Sequence, residues 1–135
     1  MGAQRVQKIT IVGLDAPHSS DVKSELVWMC KCLDMDPKRD RLAFDIFLHL
    51  LDASRKGGGV KTIEITRTNN VTQAAVVYHM NTFMRAGLIV RRGREYYLRG
   101  GSLEKTVEEV EADMLRRMRL LRAMAGRIDE TLFGR

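Results

Sequence analysis

A chain of 135 residues, 44% hydrophobic and 30% charged, has the size and balance of one globular domain, which excludes a low-hydrophobicity disordered protein. No apolar run approaches the roughly 20 residues that span a bilayer, and the opening MGAQRVQKITIVGLD has no continuous apolar stretch of the secretory kind. A cytoplasmic protein with no membrane partner is therefore expected. The net charge of +6 points to a polyanionic partner, and its placement is uneven. Residues 1–35 carry four basic and four acidic side chains, residues 36–101 twelve and six, and residues 102–135 seven and seven. The excess lies wholly in the middle of the chain, which suggests a basic binding module between two neutral flanks.

In chain order, residues 8–14 (KITIVGL) are β-branched enough for a short strand or arm, with no hairpin partner following. Ser19 or Ser20 is a reasonable cap for a helix reaching about Met35, with Val22, Leu26, Met29 and Leu33 on one stripe. Asp36-Pro37 predicts a new helix over 37–54, with Leu42, Ile46, Phe47, Leu50 and Leu51 facing a core, and Gly57-Gly58-Gly59 ends it.

Residues 62–68 are read as a short helix on context, with Ile65 inside, Thr66 at the close-packing position and Asn70 in a left-handed turn. The alternation of VKTIEIT over 60–66 equally fits a strand by period, so that reading stays open. Thr72 then caps a helix that Gly87 stops, and LIVRRGREYYL reads as a hairpin ended by Gly100-Gly101. Ser102 caps a final helix running past Gly126 to about Leu132. Its apolar positions Leu103, Val107, Val110, Met114, Met118, Leu121, Ala125, Ile128 and Leu132 recur every three or four residues. A thirty-residue helix reaches about 45 Å, beyond a small domain, so its stripe predicts a homodimer.

Cys30 and Cys32 are too close in sequence for a useful disulfide. In a helix, residues two apart diverge by about 200°, so the two thiolates would not share an ion, and no metal site is expected. His18, His49 and His79 are scattered, no phosphate loop or G-x-S-x-G is present, and neither a cofactor nor an enzymatic activity is expected.

Residues 60–98 resemble the winged helix-turn-helix of ArsR-like transcriptional regulators, particularly archaeal forms. The resemblance rests on the capped second helix, the V-x-x-H-M-x-x-F-x-x-A-G-L-I pattern from Val76 to Ile89, and the R-G-R tip before Tyr96-Tyr97. Asn70 and Thr66 stand where the pattern usually has Gly and Ala. The implied fold is mainly α with a small β-hairpin wing: an N-terminal arm and helix over 1–36, the winged helix-turn-helix over 37–101, and a coiled-coil-like dimerisation helix over 102–135.

The resemblance implies that helix 72–86 enters the major groove of double-stranded DNA and that wing 88–99 lies on the backbone or in the minor groove. Val76, Met80 and Phe83 would then face inward, leaving Thr72, Gln73, Ala74, Val77, Tyr78 and Asn81 for DNA. Gln can pair bidentately with adenine, Ala and Val can pack on thymine methyls, and Thr72 suits a phosphate. Arg91, Arg92, Arg94 and Arg99, opposed only by Glu95, would supply the wing's charge. The implied function is that of a dimeric, nucleoid-associated transcriptional regulator. The alternatives are a winged-helix protein-interaction module and a nonspecific architectural DNA binder.

Overall fold

The computed structural model describes residues 6–17 and 19–134. Among them the order is α1 (Val22–Cys32), α2 (Arg41–Arg55), α3 (Thr62–Asn69), α4 (Gln73–Ala86), β1 (Ile89–Arg92), β2 (Glu95–Leu98) and α5 (Leu103–Phe133). The protein is thus mainly helical, with one antiparallel hairpin and a long C-terminal helix. None of these helices is long and apolar enough to cross a membrane.

Of the strand and the arm that residues 8–14 allow, the arm forms. β-branched residues favour extended backbone, but a strand also needs an edge to pair with. This segment instead makes isolated backbone bonds, from Lys8 N–H to the Arg85 carbonyl and from Val12 N–H to the Cys32 carbonyl, both 2.8 Å. It is an arm laid across the ends of α4 and α1.

α1 starts later and stops earlier than the periodicity predicts. Its cap is Asp21, whose carboxylate accepts from Ser24 N–H at 2.8 Å, while Ser19 only supports that carboxylate. At the other end Asp34 takes a left-handed φ of 60°, and Met35 N–H donates to the Cys30 carbonyl at 2.7 Å. That pair of features closes the helix as a Schellman motif. Val22, expected on the inner stripe, is 80% exposed, and the fully buried residue is Cys30.

α2 also begins four residues after its expected start. Asp36-Pro37 forms only a turn, with Asp36 accepting from Lys38 N–H at 3.0 Å. Asp40, extended at φ −144°, breaks the path and becomes the cap by accepting from Ala43 N–H at 3.1 Å. The core face of α2 is Ala43, Phe44, Ile46, Phe47 and Leu50, with Leu42 and Leu51 at its margins. Phe47 meets Phe83 of α4 edge to face, centroids 6.2 Å apart.

For residues 60–66 both readings hold a part of the truth. Val60 alone is a strand residue, exchanging backbone bonds of 2.9 and 2.8 Å with Tyr96, and α3 begins two residues later. Ile65 is fully buried, and Asn70 takes the left-handed conformation at φ 52° that turns the chain into α4. A short helix with one buried anchor depends on it. Ile65→Ala should cost about 2–4 kcal/mol, read as a lower denaturant midpoint with unchanged slope; a loss under about 1 kcal/mol would mean that α3 is held by other contacts.

The hairpin pairs Ile89 with Leu98, Val90 with Tyr97, Arg91 with Tyr96 and Arg92 with Glu95. Its two-residue loop is Gly93-Arg94, with Gly93 at φ 63°, the sign a primed hairpin turn requires at its first position. Alternation puts Tyr96 and Leu98 in the core.

α5 is capped by Ser102, which accepts from Lys105 N–H at 3.2 Å. Its base is docked by Thr106, whose buried hydroxyl donates to the Ser102 carbonyl (2.7 Å) and accepts from Gly100 N–H (3.0 Å). The approach is close enough that a Cβ on Gly100 would lie 2.6–2.7 Å from Lys105 and the backbone of Thr106. Thr106, Val110 and Asp113 are the buried residues of this helix, and every described residue from Met114 onward is exposed. Two positions expected in the dimer seam therefore serve the chain's own core: Val110 is 4% exposed, and Leu103 packs against the same cluster. At positions three and four apart, a stripe's first turns meet whatever lies nearest, here Ile11 of the arm, Leu33 after α1 and Leu88 before β1.

Candidate nucleic-acid interface

α4 is defined locally at both ends. Thr72 Oγ1 accepts from Ala75 N–H at 3.2 Å, and Gly87 closes the helix at φ 84°. Val76 and Met80 are fully buried and Phe83 nearly so, which fixes the rotation of the helix about its axis. Gln73, Ala74, Tyr78 and Asn81 are consequently exposed and Val77 half-buried, with Tyr78 64% exposed.

Gln73, Val77 and Asn81, one turn apart on α4, form one wall of an open cleft of about 660 Å³. Arg91, Arg94 and Tyr96 of the hairpin form the other, and Lys61, Thr62 and Ile63 at the start of α3 close its end. The bridge between Val60 and Tyr96 brings these parts together, because it pins the chain two residues before α3 to β2. The lining holds three cationic side chains and no carboxylate.

Arg91 is held in place without being neutralised. Arg91 Nε donates to the Gly93 carbonyl at 2.9 Å, and its guanidinium lies 5.6 Å from the centroid of the Tyr96 ring. Among the described residues none of Lys61, Arg91, Arg92 and Arg94 has a carboxylate oxygen within 4.0 Å, whereas Arg41, Arg55, Arg99 and Arg116 are all paired.

Two of the expected wing arginines lie outside the cleft. Arg92 pairs across the hairpin with Glu95 and sits 5.2 Å from the Tyr97 ring centroid, on the face away from Arg91 and the cleft. Strand alternation forces the separation: adjacent residues cannot share a face. Arg99 is not free for a phosphate at all. It makes a two-pronged bond to Asp113 of α5, at 2.5 and 3.2 Å, with Glu109 a further 3.7 Å neighbour. Asp113 also accepts from Arg116 at 2.5 Å, and the Arg99 guanidinium holds its carboxyl down at about 2.

Thr72, Ala74 and Tyr78 lie on the outward surface of α4 outside the cleft lining, with Tyr78 edge-on to His79 at 5.3 Å. Lys61 was missed by sequence reasoning. A lone lysine carries no signal, and its only cue was its position one residue after the β-branched Val60.

Cys30 is enclosed, and burial pushes its thiol up to about 12, while Cys32 is half-buried at the end of α1; both are free. A protonated, enclosed thiol is a poor nucleophile and a poor ligand. Among the described residues no three His, Cys, Asp or Glu side chains gather as a metal site, and His18 lies outside those residues. Comparison with protein-family models, with curated proteins and with solved structures finds no significant match to this chain.

Proposed function

We propose that this chain is a winged helix-turn-helix protein that binds double-stranded DNA as a transcriptional regulator, in the manner its resemblance to ArsR-like proteins implies. In this reading α4 is the recognition helix and the hairpin is the wing. The observation that carries it is the cleft in which Gln73, Val77 and Asn81 share one surface with Lys61, Arg91 and Arg94 and with no carboxylate. A fourteen-residue α4 is about 21 Å long, enough to lie in a major groove about 12 Å wide. Cations beside the helix would then meet the flanking phosphates, while the amides and apolar groups of the helix meet base edges.

The direct test is fluorescence anisotropy with a random duplex across a salt series, followed by selection of bound sequences from a random pool. Salt-dependent binding with an enriched motif is expected. Salt-dependent binding without enrichment would replace the regulator by an architectural binder, and no binding at low salt would favour a protein-interaction module. Within the enriched site, Gln73→Ala or Tyr78→Ala should cost roughly 1–3 kcal/mol per lost base contact and leave random-duplex affinity nearly unchanged. Equal losses on both duplexes would remove these residues from base reading.

A further inference from the structure

A second open cavity, of about 820 Å³, lies where the N-terminal arm, the end of α4, β1 and α5 meet. Arg85, Arg99 and Arg117 line it, and Asp113 is the one carboxylate among its lining residues. That carboxylate is already engaged: Arg99 forks onto it, and Arg116 bonds it from outside the lining. Arg85 and Arg117, by contrast, have no carboxylate oxygen of the described residues within 4.0 Å. Like charges gathered in one cavity repel, and an anion that enters between them removes that cost.

The cavity is also built to hold its cations still. Arg117 Nη1 donates to Gln7 Oε1 at 2.5 Å and to the Asp113 backbone carbonyl at 3.3 Å, both neutral partners, so the side chain is positioned with its charge unspent. Gln7 is fixed in turn, because its Nε2 donates to the Ala86 carbonyl at 2.8 Å. The close approach of the arm needs Gly87, where a Cβ would run into the Gln7 amide. On α4, Asn81 and Arg85 stand one turn apart and exposed, and Met84 and Val90 offer half-buried apolar surface beside them.

We propose that this cavity binds a small organic anion. Its carboxylate or phosphate head meets Arg85 and Arg117, whose planar forks suit either group, and its apolar body lies on Met84 and Val90. An uncharged ligand would cover the two guanidinium groups without pairing them, which is costly. Asn81 also lines the cleft that holds Lys61, Arg91 and Arg94, so the anion touches the same helix that the DNA-binding reading places in the groove. The proposal does not depend on that reading.

Isothermal titration calorimetry on the full chain, without DNA, tests it with phenyl phosphate and hexanoate as probes. At least one should bind with a Kd of about 1 mM or tighter, and the tighter of the two identifies the head. Their uncharged counterparts, benzyl alcohol and hexanamide, and inorganic phosphate should each bind at least about tenfold more weakly. Equal binding of any of these three, or no binding of either probe at about 5 mM, would overturn the proposal. Arg85→Ala removes a cation, and Asn81→Asp adds a carboxylate; both positions are exposed, so both variants should melt as the parent does. Each should weaken the probe at least about tenfold, with partial recovery in Arg85→Lys, and an unchanged Kd in Arg85→Ala would take the anion out of this cavity. A chain that takes the probe and no duplex would keep this site and remove the DNA reading, and one that takes the duplex and no probe would do the reverse.

Discussion

Replacing Lys61, Arg91 and Arg94 together by alanine should lower affinity for a random duplex by about two to three orders of magnitude at 0.1 M salt, and should flatten the log–log salt dependence by about 3. Each cation that meets a phosphate releases close to one counterion, so the slope counts contacts directly. These three are chosen because they line one cleft and, among the described residues, none has a carboxylate oxygen within 4.0 Å of its charged group. Arg92→Ala is the internal control. Its guanidinium stands on the opposite hairpin face against Tyr97, so it should change the slope by less than about 1. Because Arg91 also packs on Tyr96 and bonds the Gly93 carbonyl, thermal melting of the triple variant must accompany the titration. A slope unchanged in a folded triple variant would refute the cleft as the phosphate-contacting surface.

The second large effect concerns Asp113, which joins the end of the hairpin to the base of α5 through Arg99. Its carboxyl titrates at about 2 instead of the ordinary 3.8, first because Arg99 donates to it and then through the charge of Arg99 and the bond from Arg116. A folded-state value below the unfolded one means that the bound, ionised form stabilises the fold at every pH above about 4. That contribution fades as pH falls from about 4 to about 2, where the folded-state carboxylate takes up its proton. The gap is worth about 2 kcal/mol, appropriate to a carboxylate only 7% exposed. Asp113→Asn should therefore lower the melting temperature at pH 7 by about 6–10 °C, and the difference from the parent should shrink as the pH approaches 2. A pH-independent difference would mean that Asp113 acts through packing rather than charge.

Features that depend on a few neighbouring residues were legible in the chain. α4 was bounded correctly because its start and stop signals, Thr72 and Gly87, act on backbone groups within one turn. The inward set Val76, Met80 and Phe83, the hairpin after Gly87 and the Ser102 cap followed from period and turn chemistry in the same way. Legibility failed where two local signals competed. Asp36-Pro37 and Asp40 are both credible caps four residues apart, and the burial of the α2 face from Ala43 to Leu50 selects the second. The β-branched run over 8–14 was legible, but whether it became a strand depended on a free edge that no local pattern reveals.

The amino-acid sequence by itself determined α4, the hairpin, the cap of α5 and the excess of positive charge in the middle of the chain. Only the tertiary structure decided which side of each period faces what. Arg91 and Arg92 must diverge in any strand, but the cleft side is known only because Tyr96 is buried against Val60 and the core. Arg99 reads as one more wing cation until Asp113, fourteen residues away on another element, is brought to it. Along α5 the stripe is continuous in sequence, yet Leu103 and Val110 are spent on the chain's own core while Val107 and the positions from Met114 onward are left exposed. The physical reason is the same in each case: hydrogen bonds and dihedral preferences act within a turn, whereas burial and ion pairing depend on surfaces that distant segments supply when the chain closes.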